Sequence, residues 1–396
     1  MPMTYCGLVA YALCTLACMA LNANAAPYLP TTDAQVLERL PSRTSDPRLR
    51  EITALRRTLA SDPGNAEVAV QLVDRYLVEL AAEGDPRYVG YAQAALAPWW
   101  QTVDAPTEVR VRRAVLLQFN HQFAPALADL QAAVLTQPEH AQAWAWIAAI
   151  RMVQASYDVA RLACQRLHDI SSALIATACT AQIDATTGHA ARALAALHQA
   201  LREHQDAPPE ERLWALTRSA ETQERLGDMR GAEAAYRQAL SLGIEDSYLR
   251  AAHADLLLDL GRASEVLTAL KDKGRSDVLL LRLALAAKAT GDASLSRHAG
   301  ALTARFDAAR LRGDTAHRKE EARFSLHVLG DAARALPLAQ ANFEEQREPA
   351  DARLLLEAAL AARRPAAAAP ALKWLRESRI ESASMQSLAA KIEGLK

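Results

Sequence analysis

The sequence predicts an all-α protein in which helical hairpins stack into a right-handed superhelical solenoid. Three observations predict this class: a short turn between helical segments, its recurrence along the chain, and the lack of sustained strand-like alternation. The stretch "LGDMRGAEAAYRQAL" at 226–240 shows the turn most clearly. Gly227 can adopt the left-handed conformation that ends a helix, and Asp228 is a suitable cap for the next one.

The residues that follow this turn share one face of the second helix. Ala232, Tyr236 and Ala239 are spaced four and three residues apart, which places them one above another. Two helices joined by so short a turn must lie antiparallel, and small residues at their crossing let the backbones approach closely. We therefore expect Ala232 to lie at the crossing, opposite Ala220, and Tyr236 to fill the wider gap beyond it.

The same pattern recurs along most of the chain. Equivalent turn residues lie 30 to 39 positions apart, at His121, Ala155, Gly188, Gly227, Gly261, Gly291 and Gly330. Seven positions before them stand Ala114, Ala148, Ala181, Ala220, Ala254, Ala284 and Arg323. Five positions after them stand Ala126, Ala160, Ala193, Ala232, Val266, Ser296 and Ala335. Nine positions after them stand Leu130, Cys164, Leu197, Tyr236, Leu270, Gly300 and Ala339.

A spacing near 34 residues with small and large residues at these offsets resembles the tetratricopeptide repeat. The best single match is "AQAWAWIAAIRMVQASYDVARLACQRL", which has Trp144, Ile147, Ala148 and Ala160 at the packing positions of that family. The resemblance implies about eight to nine helical hairpins, each contacting mainly its neighbours. It concerns the repeat and implies a function only broadly.

The ends of the array define four segments. We predict a signal peptide at 1–25, a Pro-rich lead-in with a capping helix at 26–63, repeats at 64–383, and a C-terminal capping helix at 384–396. The weaker repeats lie around 66–104 and 352–383, and the seventh and eighth depart from the pattern at Gly300 and Arg323.

The first residues have the composition of a secretory signal peptide. No charged side chain occurs before Ala26, and the apolar run from Tyr5 to Leu21 precedes the small-residue site Ala23-Asn24-Ala25. We predict cleavage before Ala26 and export to the periplasm, with no membrane span in the mature chain. An uncleaved N-terminal membrane anchor and a lipoprotein attached through Cys18 are the alternatives.

The charge and the motifs exclude several classes of function. The formal net charge is −1 over 396 residues, which argues against a general nucleic-acid binder because such a protein shows a basic stripe. No dinucleotide-binding, phosphate-binding, zinc-protease or hydrolase motif occurs. His317 and Glu321 have the spacing of a metal pair, but the charged residues around them favour a solvated helix face. We therefore expect no enzyme activity, no cofactor and no metal.

The solenoid predicts a protein or peptide partner in a groove lined by the first helices of the repeats. The acidic centre of this groove identifies the candidate binding residues as Glu221, Glu224, Arg225, Asp255 and Asp259. The leading hypothesis is a non-catalytic periplasmic scaffold that takes part in assembly or regulation of an envelope complex. The alternatives are an envelope module that binds glycan or peptide, and an enzyme whose site lies in the loops.

Two cysteines remain outside the signal segment, Cys164 and Cys179. Each lies seven or eight residues from the turn near Ser171 and Ser172, on opposite antiparallel helices, so both stand at the same height. The periplasm is oxidising. We therefore predict a disulfide between them, against the alternative of two small buried thiols.

Overall fold

A computed structural model describes residues 46–395, and within them every regular element is a helix. The predicted signal peptide and the lead-in up to residue 45 lie outside the described residues. All contacts discussed below lie within the compact unit Glu51–Lys396. The α-helices are α1 Pro47–Ser61, α2 Ala66–Glu83, α3 Arg87–Ala95, α4 Thr107–Phe119, α5 Phe123–Thr136, α6 Ala141–Val153, α7 Tyr157–Ile170, α8 Ala173–Thr186, α9 Ala190–Glu203, α10 Pro209–Leu226, α11 Met229–Leu240, α12 Ser247–Asp259, α13 Ala263–Ala269, α14 Asp277–Thr290, α15 Leu295–Leu311, α16 Arg318–Arg323, α17 Ala332–Glu345, α18 Pro349–Ala361, α19 Ala369–Ser378 and α20 Ala383–Glu393.

The helices from α2 to α19 form nine consecutive hairpins, which we number as repeats one to nine. Repeat one is α2 with α3, repeat five is α10 with α11, and repeat nine is α18 with α19. α1 precedes the array and α20 follows it. The predicted class, an all-α solenoid of hairpins like those of tetratricopeptide repeats, is confirmed.

A single left-handed residue marks the turn of each hairpin. All seven turn residues predicted from the sequence have a positive φ, from 57° at His121 and Ala155 to 86° at Gly227. Gly84 and Arg363, with φ of 62° and 52°, take the same place in repeats one and nine. A left-handed residue closes the first helix and reverses the chain, because it exposes the last carbonyls to the next backbone N–H groups.

The eighth repeat contains one extra residue in its first helix. In repeat five the N–H of Asp228 donates to the carbonyl of Gln223, five positions earlier, whereas in repeat eight Asp331 donates to Ser325, six positions earlier. α16 continues as a π-helix over Phe324–Leu329, whose wider turn accommodates this residue. The small packing position therefore falls on buried Ala322 and not on Arg323, as the regular offset predicted.

The crossings of the regular hairpins are made by small buried residues. Ala220 and Ala232 are both fully buried and belong to one apolar cluster with Tyr236. In repeat seven the offset is wrong, because Ser296 and Gly300 lie at the surface. The second helix of that repeat packs through Leu302 and Phe306 instead, since α15 begins later relative to its turn.

The last two repeats also contact repeats that are distant in sequence. Four hydrogen bonds connect these repeats, and the segment that follows α19, to repeats two to four: Gln346 Nε2 to His121 Nε2 at 2.6 Å, Arg347 N to Val153 O at 2.8 Å, Trp374 Nε1 to Tyr157 Oη at 2.9 Å, and Ala190 N to Glu381 Oε2 at 2.6 Å. Residues later in repeats eight and nine contact residues later in repeats two to four. Repeats eight and nine therefore run beside repeats two to four, and the solenoid closes on itself.

The turn of repeat one makes a second long-range contact. A Cβ atom on Gly84 would lie 2.4 Å from Oγ of Ser276, at the start of α14, and 3.3 Å from Cβ of Ser247. Only glycine allows this approach, and its φ of 62° also suits glycine. The first repeat thus lies against the N-terminal ends of α12 and α14.

Candidate functional site: the inner surface of repeats five and six

The five predicted groove residues lie on two neighbouring first helices. Glu221, Glu224 and Arg225 belong to α10, and Asp255 and Asp259 stand one turn apart on α12. We call this set the inner surface. The structure brings the four acids close together, since the charges of the other three all act on Glu224.

Asp255 is held by two arginines from later repeats. Arg282 of α14 donates to its two oxygens at 2.6 and 3.0 Å, and Arg323 of α16 donates at 2.8 and 3.0 Å. Burial alone would raise the pKa of the Asp255 carboxyl, but the two guanidinium groups outweigh it and hold that pKa well below its usual range. Asp255 is therefore a structural anion in this arrangement.

Asp259 is paired across the chain with repeat nine. Arg353 of α18 donates to its carboxylate at 2.5 and 2.9 Å, and also to Glu357 at 2.8 Å. Glu357 in turn lies 2.8 Å from Nε2 of His327. Burial raises the pKa of Glu357, but His327 and Arg353 together lower it to about 2. This chain of ion pairs connects repeats six, eight and nine.

Glu221 is neutralised by its own repeat and the next. Arg218 lies 3.0 Å from its carboxylate, and the hydroxyl of Tyr248 donates to it at 2.5 Å. The Arg218 guanidinium also stacks 5.2 Å above the ring centre of Tyr248, which is a cation–π geometry. These contacts hold the Tyr248 ring, which is 54% exposed, against α10.

Glu224 differs from the other three acids because no cation of the described residues pairs with it. Its contact is the hydroxyl of Tyr236, which donates at 3.4 Å. Burial raises the pKa of Glu224 first, and the negative charges of Asp259, Glu221 and Asp255 raise it further, to about 7. Glu224 is therefore partly ionised at neutral pH and favours a cation beside it.

Arg225 is the half-buried cation of the inner surface. Its Nε is buried and donates to no group of the described chain. Burial lowers the pKa of its guanidinium, and the charges of Glu221 and Glu224 only partly offset this effect. The inner surface thus presents one acid and one base, adjacent in sequence, whose charges are not matched by direct ion pairs.

The two cysteines are joined in the structure. The Cys164–Cys179 bond links α7 of repeat three to α8 of repeat four, with a Cα–Cα distance of 5.6 Å. Both residues are buried in the apolar cluster that continues across these repeats. The bridge therefore fixes repeat three to repeat four. Neither cysteine belongs to the inner surface.

The other pair considered for chemistry is engaged in ion pairs. Glu321 is buried and accepts from Arg334 at 2.7 Å, while His317 lies 3.7 Å from Asp314. Within residues 46–395, no group of three or more His, Cys, Asp or Glu side chains is placed to hold a metal ion. No helix in the same part of the chain is long and apolar enough to cross a membrane.

Sequence reasoning found the acids and missed their partners. Arg282, Arg323 and Arg353 carry no motif, and two of them pair with acids 68 and 94 positions earlier. The one signal in the sequence is that the array departs from regularity at Arg323, where a cation stands at a position that holds alanine in other repeats.

No protein-family model matches the sequence, and no curated protein matches it. Among solved structures, the chain is similar to the hetero-tetramer of Cut9 and Hcn1 from the APC/C, with 12% identity and a TM-score of 0.41 over 78% of this chain and 52% of that one. The C-terminal part of a repeat protein from Cytophaga hutchinsonii has 14% identity and a TM-score of 0.32, over 62% of this chain and 94% of that one. A tetratricopeptide repeat protein from Parabacteroides merdae has 16% identity and a TM-score of 0.32, over 72% and 98%. This chain thus spans about half the length of the first of them.

Proposed function

We propose that the protein is an exported, non-catalytic interaction scaffold that binds a basic segment of a partner protein at its inner surface. The observation that carries this proposal is Glu224, the one acid of the inner surface that forms no ion pair with a described residue. Ionised carboxylates in a half-buried site favour a paired cation. A lysine or arginine of the partner would supply that charge.

The chain's own arginines support this choice of ligand. Arg323 and Arg353 reach the inner surface from other repeats and form two-pronged pairs with Asp255 and Asp259. Such fork-shaped pairs are strong and directional. The inner surface thus accepts guanidinium groups. Glu224 is the acid at which a guanidinium group of a partner protein would bind.

A defined basic peptide tests the proposal. We expect Ala-Arg-Ala-Ala-Arg-Ala-amide, with fluorescein on its N-terminal amine, to bind the full-length protein more tightly than the peptide in which both arginines are glutamine. Glu224→Gln should weaken binding about tenfold, the loss of one ion pair worth about 1.4 kcal/mol. Affinity should also rise between pH 6 and 8, because Glu224 loses its proton in that interval.

The matched control is Glu203→Gln, which removes an exposed acid at the end of α9. It should change the affinity less than twofold. Equal binding of the basic peptide by wild type and Glu224→Gln, measured by fluorescence anisotropy on folded protein, would rule out this site.

Export to the periplasm is part of the proposal and rests on residues 1–25, which lie outside the described residues. The Cys164–Cys179 bond supports it, because disulfides persist in oxidising compartments. Mass spectrometry of the protein from a periplasmic fraction should find Ala26 as the N-terminus. An intact Met1 would instead support the membrane-anchored alternative, and a lipid on Cys18 would support the lipoprotein.

A further inference from the structure

A second groove lies between the second helices of repeats four and five. α9 and α11 form its walls and α10 forms its floor, and its volume is about 450 Å³. Gly231, Ala234 and Ala235 line it from α11. Because these residues are small, they leave the space between α9 and α11 unfilled. Ligand sites in proteins commonly have volumes of this size. None of the inner-surface residues lines this inter-repeat groove.

The floor of the inter-repeat groove is one face of α10. Arg212, Leu216, Ser219 and Gln223 line it from α10, at spacings of three and four that place them on one helix face. The rise from Arg212 to Gln223 is about 16 Å at about 1.5 Å per residue. An extended peptide covers about 3.3 Å per residue, so the floor matches a segment of about five residues.

One end of the inter-repeat groove is cationic. Arg202 of α9 and Arg212 of α10 both line it, and no Asp or Glu does so among the described residues. Arg212 donates one Nη to the carbonyl of Gln205 at 2.7 Å, but its Nε is buried without a hydrogen-bond partner. Arg202 forms no ion pair within the described part of the chain. Neither guanidinium group is therefore paired with a carboxylate of the described chain.

The other end is neutral and rich in hydrogen-bonding groups. His198 Nε2 lies 3.1 Å from Oγ of Ser219, which donates to Gln223 at 3.4 Å. Burial and the charge of Arg202 lower the pKa of His198, so its ring is neutral at neutral pH. The nearest acid, Asp228, accepts from Gly231 N–H at 3.0 Å and from Gln223 at 3.3 Å. These groups satisfy one another's hydrogen bonds, so this end of the groove carries no charge that would oppose an acidic ligand.

We propose that the inter-repeat groove binds an extended acidic peptide segment, with its carboxylate side chains on Arg202 and Arg212 and its backbone along the face of α10 that forms the floor. The floor length fits about five residues, the two guanidinium groups without carboxylate partners fit carboxylates, and the neutral end places no charge against the ligand. This goes beyond the proposed function, because the ligand has the opposite charge and the site lies on a different set of helices.

Two capped peptides test this inference on the full-length protein. The probe is Glu-Glu-Ala-Ala-Glu-Glu-amide with fluorescein on its N-terminal amine, which carries acids at both ends and has no free carboxyl terminus. The reference has glutamine in place of every glutamate. We expect the acidic peptide to bind at least tenfold more tightly, measured by fluorescence anisotropy.

Three variants locate the binding. Arg202→Gln with Arg212→Gln should weaken the acidic peptide at least tenfold, while the matched double variant Arg230→Gln with Arg237→Gln, on α11, should change it less than twofold. Ala234→Phe, at an exposed position that lines the groove, should block both peptides without changing the melting temperature. Equal binding of the two peptides, no binding of the acidic peptide, or full binding to folded Ala234→Phe would each overturn the proposal.

Discussion

Repeats two to five and repeats eight and nine differ in their long-range contacts. In both regions small buried residues, such as Ala148 in repeat three and Ala335 in repeat eight, let the paired helices pack closely. The last repeats also form long-range polar contacts, such as the Arg353–Asp259 ion pair, which joins residues 94 positions apart. Local spacing therefore builds each hairpin, whereas long-range polar contacts decide where the array closes.

The difference predicts that damage in the two regions spreads differently. The stability of a repeat array is approximately the sum of the contacts between neighbouring repeats. A destabilising substitution in the middle repeats therefore lowers the stability of the repeats on both sides of it. Loss of the closing ion pairs should loosen repeats eight and nine and leave the middle hairpins folded. Three experiments, given from the largest expected effect to the smallest, test this contrast, and a fourth follows the pH dependence of Glu224.

Removal of the covalent link between repeats three and four should cost most. Cys164→Ala with Cys179→Ala should lower the free energy of unfolding by about 3 kcal/mol, because a closed loop of this size restricts the unfolded chain. Urea unfolding of the variant and of oxidised wild type gives the difference. Alkylation of both cysteines in denatured, unreduced wild type, located by peptide mass spectrometry, would show that no bridge forms.

Overpacking the crossing of repeat five should cost about 1–3 kcal/mol. Ala232 is fully buried, so Ala232→Leu forces the two helices apart. Ala234→Leu, two positions along the same helix but exposed, is the matched control and should stay within about 0.5 kcal/mol of wild type. Equal unfolding midpoints for the two variants would contradict the assigned crossing.

Loss of the closing arginines should have a smaller and more local effect. Arg323→Gln with Arg353→Gln should cost about 1 kcal/mol in total, because both side chains are partly exposed and Asp255 keeps its pairing with Arg282. Hydrogen exchange should rise in α17–α20 and not in α6–α9. The control is Arg376→Gln, an exposed arginine of α19. A uniform rise over all repeats would show that the regions do not separate.

The fourth effect depends on pH. The pKa of Glu224 is raised to about 7 in the folded protein, above its value in an unfolded chain. Its contribution to stability is therefore present at pH 4 and is lost as pH rises through 7. Glu224→Gln should melt at the same temperature as wild type at pH 4 and at a higher temperature at pH 8.5. The same difference in melting temperature at both pH values would show that the pKa of Glu224 is not raised.

The sequence predicted the parts of the molecule that local spacing decides. The seven turn residues were found because a left-handed residue must follow each first helix and the offsets repeat. Cys164 and Cys179 could be placed at one height because only one short turn separates them. The registers of repeats seven and eight were wrong at Gly300 and Arg323, where a late helix start and a π-helix shift the offset.

The closure could not be predicted from the same spacing. Each repeat is rotated slightly relative to the one before it. The position of repeat nine relative to repeat six therefore depends on the sum of these rotations, which the spacing of residues in the sequence does not give. The acids of the inner surface were therefore predicted, but Arg353 beside Asp259 was not. The inter-repeat groove was missed because no motif marks Arg202 and Arg212.

Closure also fixes how many repeats the chain can contain. In an open array, one duplicated hairpin adds length and leaves every other neighbour unchanged. Here Gln346 meets His121 across 225 positions, and Trp374 meets Tyr157 across 217. A hairpin inserted between them would move every such partner by one repeat at once. Natural relatives of this chain should therefore vary in the loops between hairpins far more readily than in the number of hairpins.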